Sequence, residues 1–171
     1  MRRSRRIRAR DLPRLAILAV VELAGLFGGK YRRTEGAHLL IADDDGRLLL
    51  VRTTYLGSRE WMLPGGRVER GERPHDAAVR ETREETGMEA AVDRLVAVDA
   101  SDRDGVSFIY AARAIGGDLE PQLGEIAETG WIPRDELAAA SPRLHRLLAV
   151  IESAEPDTGV AYLTGLGSRR A

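Results

Sequence analysis

Short apolar runs alternate along the chain with clusters of glycine, proline and charge, and their spacing predicts the elements. Residues 12–27 carry an apolar run interrupted by Glu22; Asp11 as N-cap, Pro13 in the first turn and Gly28-Gly29 as a stop predict a helix there. Residues 37–42 and 47–53 read as strands joined by Asp43-Asp44-Asp45-Gly46, a strong hairpin signal. Residues 61–63 and 67–69 read as short strands flanking Pro64-Gly65-Gly66. Next comes a helix over residues 74–86, with Pro74 in its first turn, Ala77, Ala78 and Val79 as its apolar face, and Gly87 as a left-handed cap. Residues 90–100 and 106–114 form a predicted strand pair around a polar turn. An acidic loop over 120–130 leads to Trp131-Ile132-Pro133, a helix from about Asp135, and a last helix opened by Ser141-Pro142 and running to about Glu152. The tail, 153–171, is rich in small and polar residues and reads as mobile or loosely docked. Strands alternating with helices suit a mixed sheet held between helices.

Composition adds limits. A chain of 171 residues with 43% hydrophobic and 31% charged residues suits one globular domain, and the absence of cysteine excludes disulfides, thiolate metal sites and a cysteine nucleophile. The net charge of −1 conceals an asymmetry: residues 1–33 hold ten Lys/Arg against two acids (+8), leaving 16 basic against 25 acidic residues (−9). The chain therefore divides into a basic segment, 1–33, a main domain, 34–152, and the tail. The acidic balance of the main domain speaks against nucleic acid as a partner. The apolar run of the first segment is too short for a confident membrane span, and no good cleavage site follows it. The expectation is a cytoplasmic chain whose first helix packs in a homodimer, with packing on its own domain or peripheral membrane contact through residues 11–27 as the alternatives.

The candidate chemistry sits between Gly65 and Met88. This stretch holds Glu69, Glu72, Glu81, Glu84 and Glu85 beside several arginines. On a helix over 74–86, Glu81, Glu84 and Glu85 share a face, and like charges at that spacing cost about 0.2–0.5 kcal/mol per pair. A divalent cation reverses the sign of that interaction, and clustered hard oxygen ligands suit magnesium, manganese or calcium rather than zinc. Gly66 and its neighbours let backbone approach a ligand closely.

The order of these residues, Gly66, Glu72, Arg80-Glu81, Glu84-Glu85, Gly87 and apolar Met88, resembles the Nudix box in every charged and glycine position, with Thr82 in a slot that usually carries an aliphatic residue. Trp61-Met62-Leu63-Pro64-Gly65-Gly66 resembles the family's lead-in. The resemblance covers about residues 34–152 and implies an α/β/α sandwich, with the N-terminal helix added to it. It also implies metal-dependent hydrolysis of a diphosphate linked to another group. By that resemblance Glu84 and Glu85 are the main metal ligands, Glu81 a ligand or water-activating base, and Gly65 a backbone carbonyl ligand. Glu72 and Arg80 brace the loop against the helix, and Gly66 and Gly87 are structural. Glu125 is the preferred acid from outside the box, with Glu120 and Glu128 as alternatives, and each of the three reads otherwise as a solvated loop carboxylate. Arg52 is a candidate for substrate phosphate, against a surface salt bridge. Tyr55, Trp61 and Tyr110 are candidates for base stacking, against core packing.

The substrate implied is a small diphosphate, a nucleoside diphosphate derivative by default, with Mg2+ or Mn2+ as cofactor. Asp102 and Arg103 stand where family members acting on ADP-ribose often carry proline, and Asp104 and Gly105 where diadenosine polyphosphate hydrolases carry tyrosine, so neither label fits. Hydrolysis of a lipid-linked or prenyl diphosphate at a membrane surface is one alternative. A non-catalytic ligand sensor is the other, although such proteins often lose acids from the box and here all are present.

Overall fold

The computed structural model describes residues 34–54, 60–100, 105–122, 124–154 and 160–163. The expected N-terminal helix, its dimer and membrane contacts, and Tyr55 lie outside the described residues.

The elements run β1 (Thr34–Ile41), β2 (Leu48–Thr53), β3 (Gly65–Arg67), α1 (Pro74–Thr86), β4 (Glu89–Asp99), β5 (Gly105–Gly116) and β6 (Ile126–Ile132). A single 3-10 turn (Arg134–Glu136), α2 (Leu137–Ala140), α3 (Pro142–Ser153) and β7 (Ala161–Leu163) complete the chain. One sheet has the order β3-β1-β5-β4-β7 and is mixed: β1 lies parallel to β5 and β4 parallel to β7, while β3-β1 and β5-β4 are antiparallel. The second, β2-β6, is antiparallel.

Two apolar clusters sit on opposite faces of the large sheet. Ala37, Leu39 and Ile41 of β1 meet Ala77 and Ala78 of α1 in one, and Ile109, Ala97, Leu144, Leu147 and Leu148 join β5, β4 and α3 in the other. The sheet is therefore sandwiched between α1 and α3. β2 belongs to both clusters, Leu49 to the first and Leu48 and Leu50 to the second. That double burial explains why its sequence, Leu48-Leu49-Leu50-Val51, is a continuous apolar run rather than an alternating one.

Four sequence expectations change. The strands expected at 61–63 and 67–69 give way to one that includes the glycines, Gly65–Arg67, because Gly65 and Gly66 pair with β1, and of 61–63 only Met62 makes a bridge, to Val51. The turn at residues 43–46 forms, with the Asp43 carboxylate accepting from the Asp45 and Arg47 amides, but only the single bridge Ala42–Leu48 links the flanking strands. β1 and β2 then enter different sheets, because β2 is buried on both sides and β1 pairs with β5 and β3. The acidic loop is shorter than expected: residues 126–130 belong to β6, drawn into pairing by β2. The tail is not all loosely attached, since β7 pairs with β4 and buries Ala161 and Leu163 against the α3 side of the core.

No helix among the described residues is long and apolar enough to cross a membrane.

Candidate active site

α1 presents the acids. Pro74 sits in its first turn, and Gly87 closes it in the left-handed conformation (φ 76°), donating to the Arg83 carbonyl at 2.9 Å. Ala78, Thr82 and Thr86, four residues apart, form the buried stripe, which turns Glu81, Glu84 and Glu85 toward the Gly65-Gly66 loop and solvent. Thr86 is satisfied within the helix, donating to the Thr82 carbonyl and accepting from the Met88 amide. The Thr82 hydroxyl, fully buried, has no hydrogen-bond partner among the described residues.

Arg80 organises the carboxylates. Its guanidinium meets Glu72 in two bonds of 3.0 Å, reaches Glu81 at 2.8 Å and Glu84 at 3.3 Å, and donates to the Arg67 carbonyl at 3.2 Å. The segment before the helix is thus tied to α1 through one side chain. The Arg80 guanidinium holds the Glu72 carboxyl below its ordinary range, helped by the Glu69 amide.

Glu85 is treated differently. It accepts from the Gly65 amide at 2.8 Å, but burial pushes its carboxyl up to about 7, and repulsion from Glu81, Glu125 and Glu84 acts in the same direction. The structure thus brings Glu81, Glu84, Glu85, Glu125 and Gly65 together. Gly65 adopts φ 141°, a conformation open to glycine. At Gly66 a Cβ would stand 2.6 Å from the Glu81 carboxyl carbon, so the absence of a side chain there makes room for that carboxylate.

The three acids outside the box separate by position. Glu125 is the one whose charge reaches Glu85, and its carbonyl, accepting from the Thr54 amide at 2.9 Å, fixes its backbone beside β2. Glu128 lies opposite Arg52 in the β2-β6 pairing and is ion-paired with it. Glu120 stands at the end of α1, where its amide donates to the Thr86 carbonyl. Arg52 also lies over the Trp61 ring, 5.3 Å from its centroid, so a phosphate there would compete with Glu128. Trp61 packs against the α3-side core, and Tyr110 against the α1-side core and edge-on to His75.

Sequence reasoning gave no role to Glu128 as the partner of Arg52, or to the half-buried His38 and the buried Asp99. Only the long-range register of β1, β4 and β6 reveals them.

As they stand, no three His, Cys, Asp or Glu side chains among the described residues are close enough to hold an ion, and Arg80 and the Gly65 amide engage oxygens of Glu81, Glu84 and Glu85. The donor chemistry nevertheless fits a hard divalent cation. It is all oxygen, and Glu85 is buried against three further acids with one backbone N–H as its relief.

Residues 32–151 match the family model described as NUDIX domain. The chain is 32% identical over 120 residues to a MutT-like protein of Streptomyces ambofaciens, covering 68% of this chain and 76% of that one. It is 31% identical over 119 residues to the human 8-oxo-dGDP phosphatase NUDT18, covering 68% of this chain but 36% of the human protein. The crystal structure of a UDP-X diphosphatase superposes with a TM-score of 0.63 at 23% identity, covering 85% of this chain and 74% of the other, a likeness of fold. A loop-and-helix carboxylate site of this order, on a mixed sheet between helices and within a family match that spans most of the sequence, places the chain in the Nudix hydrolase family.

Proposed function

We propose that the chain hydrolyses a diphosphate linkage in a nucleoside diphosphate derivative, using Mg2+ or Mn2+ held by Glu81, Glu84, Glu85, Glu125 and the Gly65 carbonyl. The observation that carries this reading is Glu85, lifted to about 7 among three other acids while anchored to the glycine loop. A bound divalent cation would neutralise the diphosphate and lower the pKa of the attacking water. The residues themselves supply position. Arg80 fixes Glu81 and Glu84 relative to Glu72 and the loop, and Gly66 leaves space for Glu81. Glu85, raised by burial and by its acidic neighbours when metal-free, would be held ionised as a ligand of the cation. The human relative's name supports a purine nucleoside diphosphate among the compounds to try first.

The test is a hydrolysis screen with Mg2+ and with Mn2+, each against EDTA. It covers nucleoside diphosphates including 8-oxo-dGDP, nucleoside triphosphates, nucleotide sugars, dinucleotides and a prenyl diphosphate. Cation-dependent release that is fastest from a nucleoside diphosphate derivative is the expected result. Preference for the prenyl compound would replace the substrate class, and no hydrolysis of any compound with either cation would end the enzymatic reading.

A further inference from the structure

His38 is a histidine that neither the carboxylate cluster nor the apolar core accounts for. Its neighbours on β1, Ala37 and Leu39, are buried in the α1-side cluster, so strand alternation turns the imidazole to the opposite face, toward α3. In the β1-β3 pairing His38 stands opposite Gly65. A Cβ built on Gly65 would lie 2.6 Å from His38 Cα and 2.8 Å from Nδ1, so ring and glycine are in direct contact and a side chain would not fit between them.

The segment leading to Gly65 is held at successive points. The imidazole interacts with the Leu63 carbonyl, the Leu39 amide donates to the Pro64 carbonyl at 3.0 Å, and the Gly65 amide donates to Glu85 at 2.8 Å. Of these, the His38 and Glu85 contacts are the ones that side chains make to the segment's backbone. Part of the residue reaches solvent, but desolvation pushes the imidazole below its ordinary 6.5, and Arg143 of α3 acts in the same direction against the weaker pull of Asp99.

We infer that His38 is a positioning residue: its imidazole holds the Leu63–Gly65 backbone so that Gly65 meets Glu85 and a divalent cation in register. The inference rests on the cation site proposed above for its second half, while the clamp on Gly65 is a property of the metal-free protein. Outer partners that orient metal ligands typically change metal affinity by about 10–100-fold when removed.

The test uses the full chain, with His38→Leu to remove the donor at similar volume and His38→Gln to keep one. Amide exchange at Gly65 is measured without metal, and Mn2+ affinity is measured by electron paramagnetic resonance without substrate. The expected result is Gly65 exchange faster by about tenfold or more and Mn2+ binding weaker by at least about tenfold in His38→Leu, with His38→Gln within about threefold of the parent in both. Wild-type behaviour of a folded His38→Leu overturns the inference. So does a His38→Gln as impaired as the leucine variant, since ring packing rather than the hydrogen bond would then be responsible. If His38→Leu does not fold, His38→Ala takes its place with the same expected order. Failure of the parent itself to take up Mn2+ would sink the proposed cation site, and the Gly65 exchange rates would still decide the clamp.

Discussion

Replacing Glu85 with glutamine isolates the cost of keeping a carboxylate in this site. The folded carboxyl titrates at about 7 against an ordinary 4.5, burial being the largest cause. The gap of about 2.5 in pKa corresponds to about 3 kcal/mol at 1.36 kcal/mol per unit. The sign follows from proton binding. Below about pH 4.5 the group is protonated in both the folded and unfolded chain and contributes nothing. Between 4.5 and 7 the folded state binds more protons, so metal-free stability falls as pH rises, and above 7 the full penalty is present. Glutamine has nearly the same shape, keeps a carbonyl oxygen for the Gly65 amide, and carries no charge to desolvate. In EDTA at pH 8.5, Glu85→Gln should therefore melt above the parent by on the order of 5–10 °C, and near pH 4 the two should coincide. Saturating Mg2+ should narrow or reverse the difference, because a cation favours the ionised glutamate. Differential scanning calorimetry at the two pH values, with and without Mg2+, measures all of this. A variant that melts at or below the parent in EDTA at pH 8.5 would refute the electrostatic reasoning.

Two other substitutions test neighbouring parts of the account. Gly66→Ala places its Cβ against the Glu81 carboxylate, the movable end of a side chain, so turnover should drop by about tenfold or more while thermal stability changes little; unchanged turnover would remove Glu81 from the reacting geometry. Thr82→Val deletes a buried hydroxyl without a hydrogen-bond partner and should stabilise the fold by about 1 kcal/mol in urea unfolding; a loss of stability would reveal a partner for that oxygen.

How much was legible in the sequence depended on whether the signal was local. Pro74 and Gly87 mark the ends of α1 through their own backbone chemistry, and the helix runs over Pro74–Thr86 as the sequence predicts. The β4-β5 pair follows from two β-rich runs around a polar turn. The order of acids and glycines likewise identified the stretch that the fold folds into one cluster. What the sequence hid was set by distant partners. Ala127-Glu128-Thr129-Gly130 carries no strand pattern of its own and becomes strand because β2 needs an antiparallel neighbour. β7 is three residues long and exists through its pairing with β4. The choice among Glu120, Glu125 and Glu128 turns on where β6 starts and on the Arg52–Glu128 register, neither of which local composition encodes. His38 looked like any strand histidine until β3 was placed beside it.

The central claim is that the carboxylates of α1 hold the cation that drives diphosphate hydrolysis. It is tested most directly by the turnover of Glu84→Gln on the fastest substrate of the screen, with circular dichroism as the check on folding. Half of the Glu84 side chain is exposed and among the described residues it bonds to Arg80 at 3.3 Å, so the fold should be preserved. Loss of a charge-stabilising group at the reacting centre predicts turnover lower by at least about a hundredfold. A normally folded Glu84→Gln that turns over at the parent rate would contradict the account.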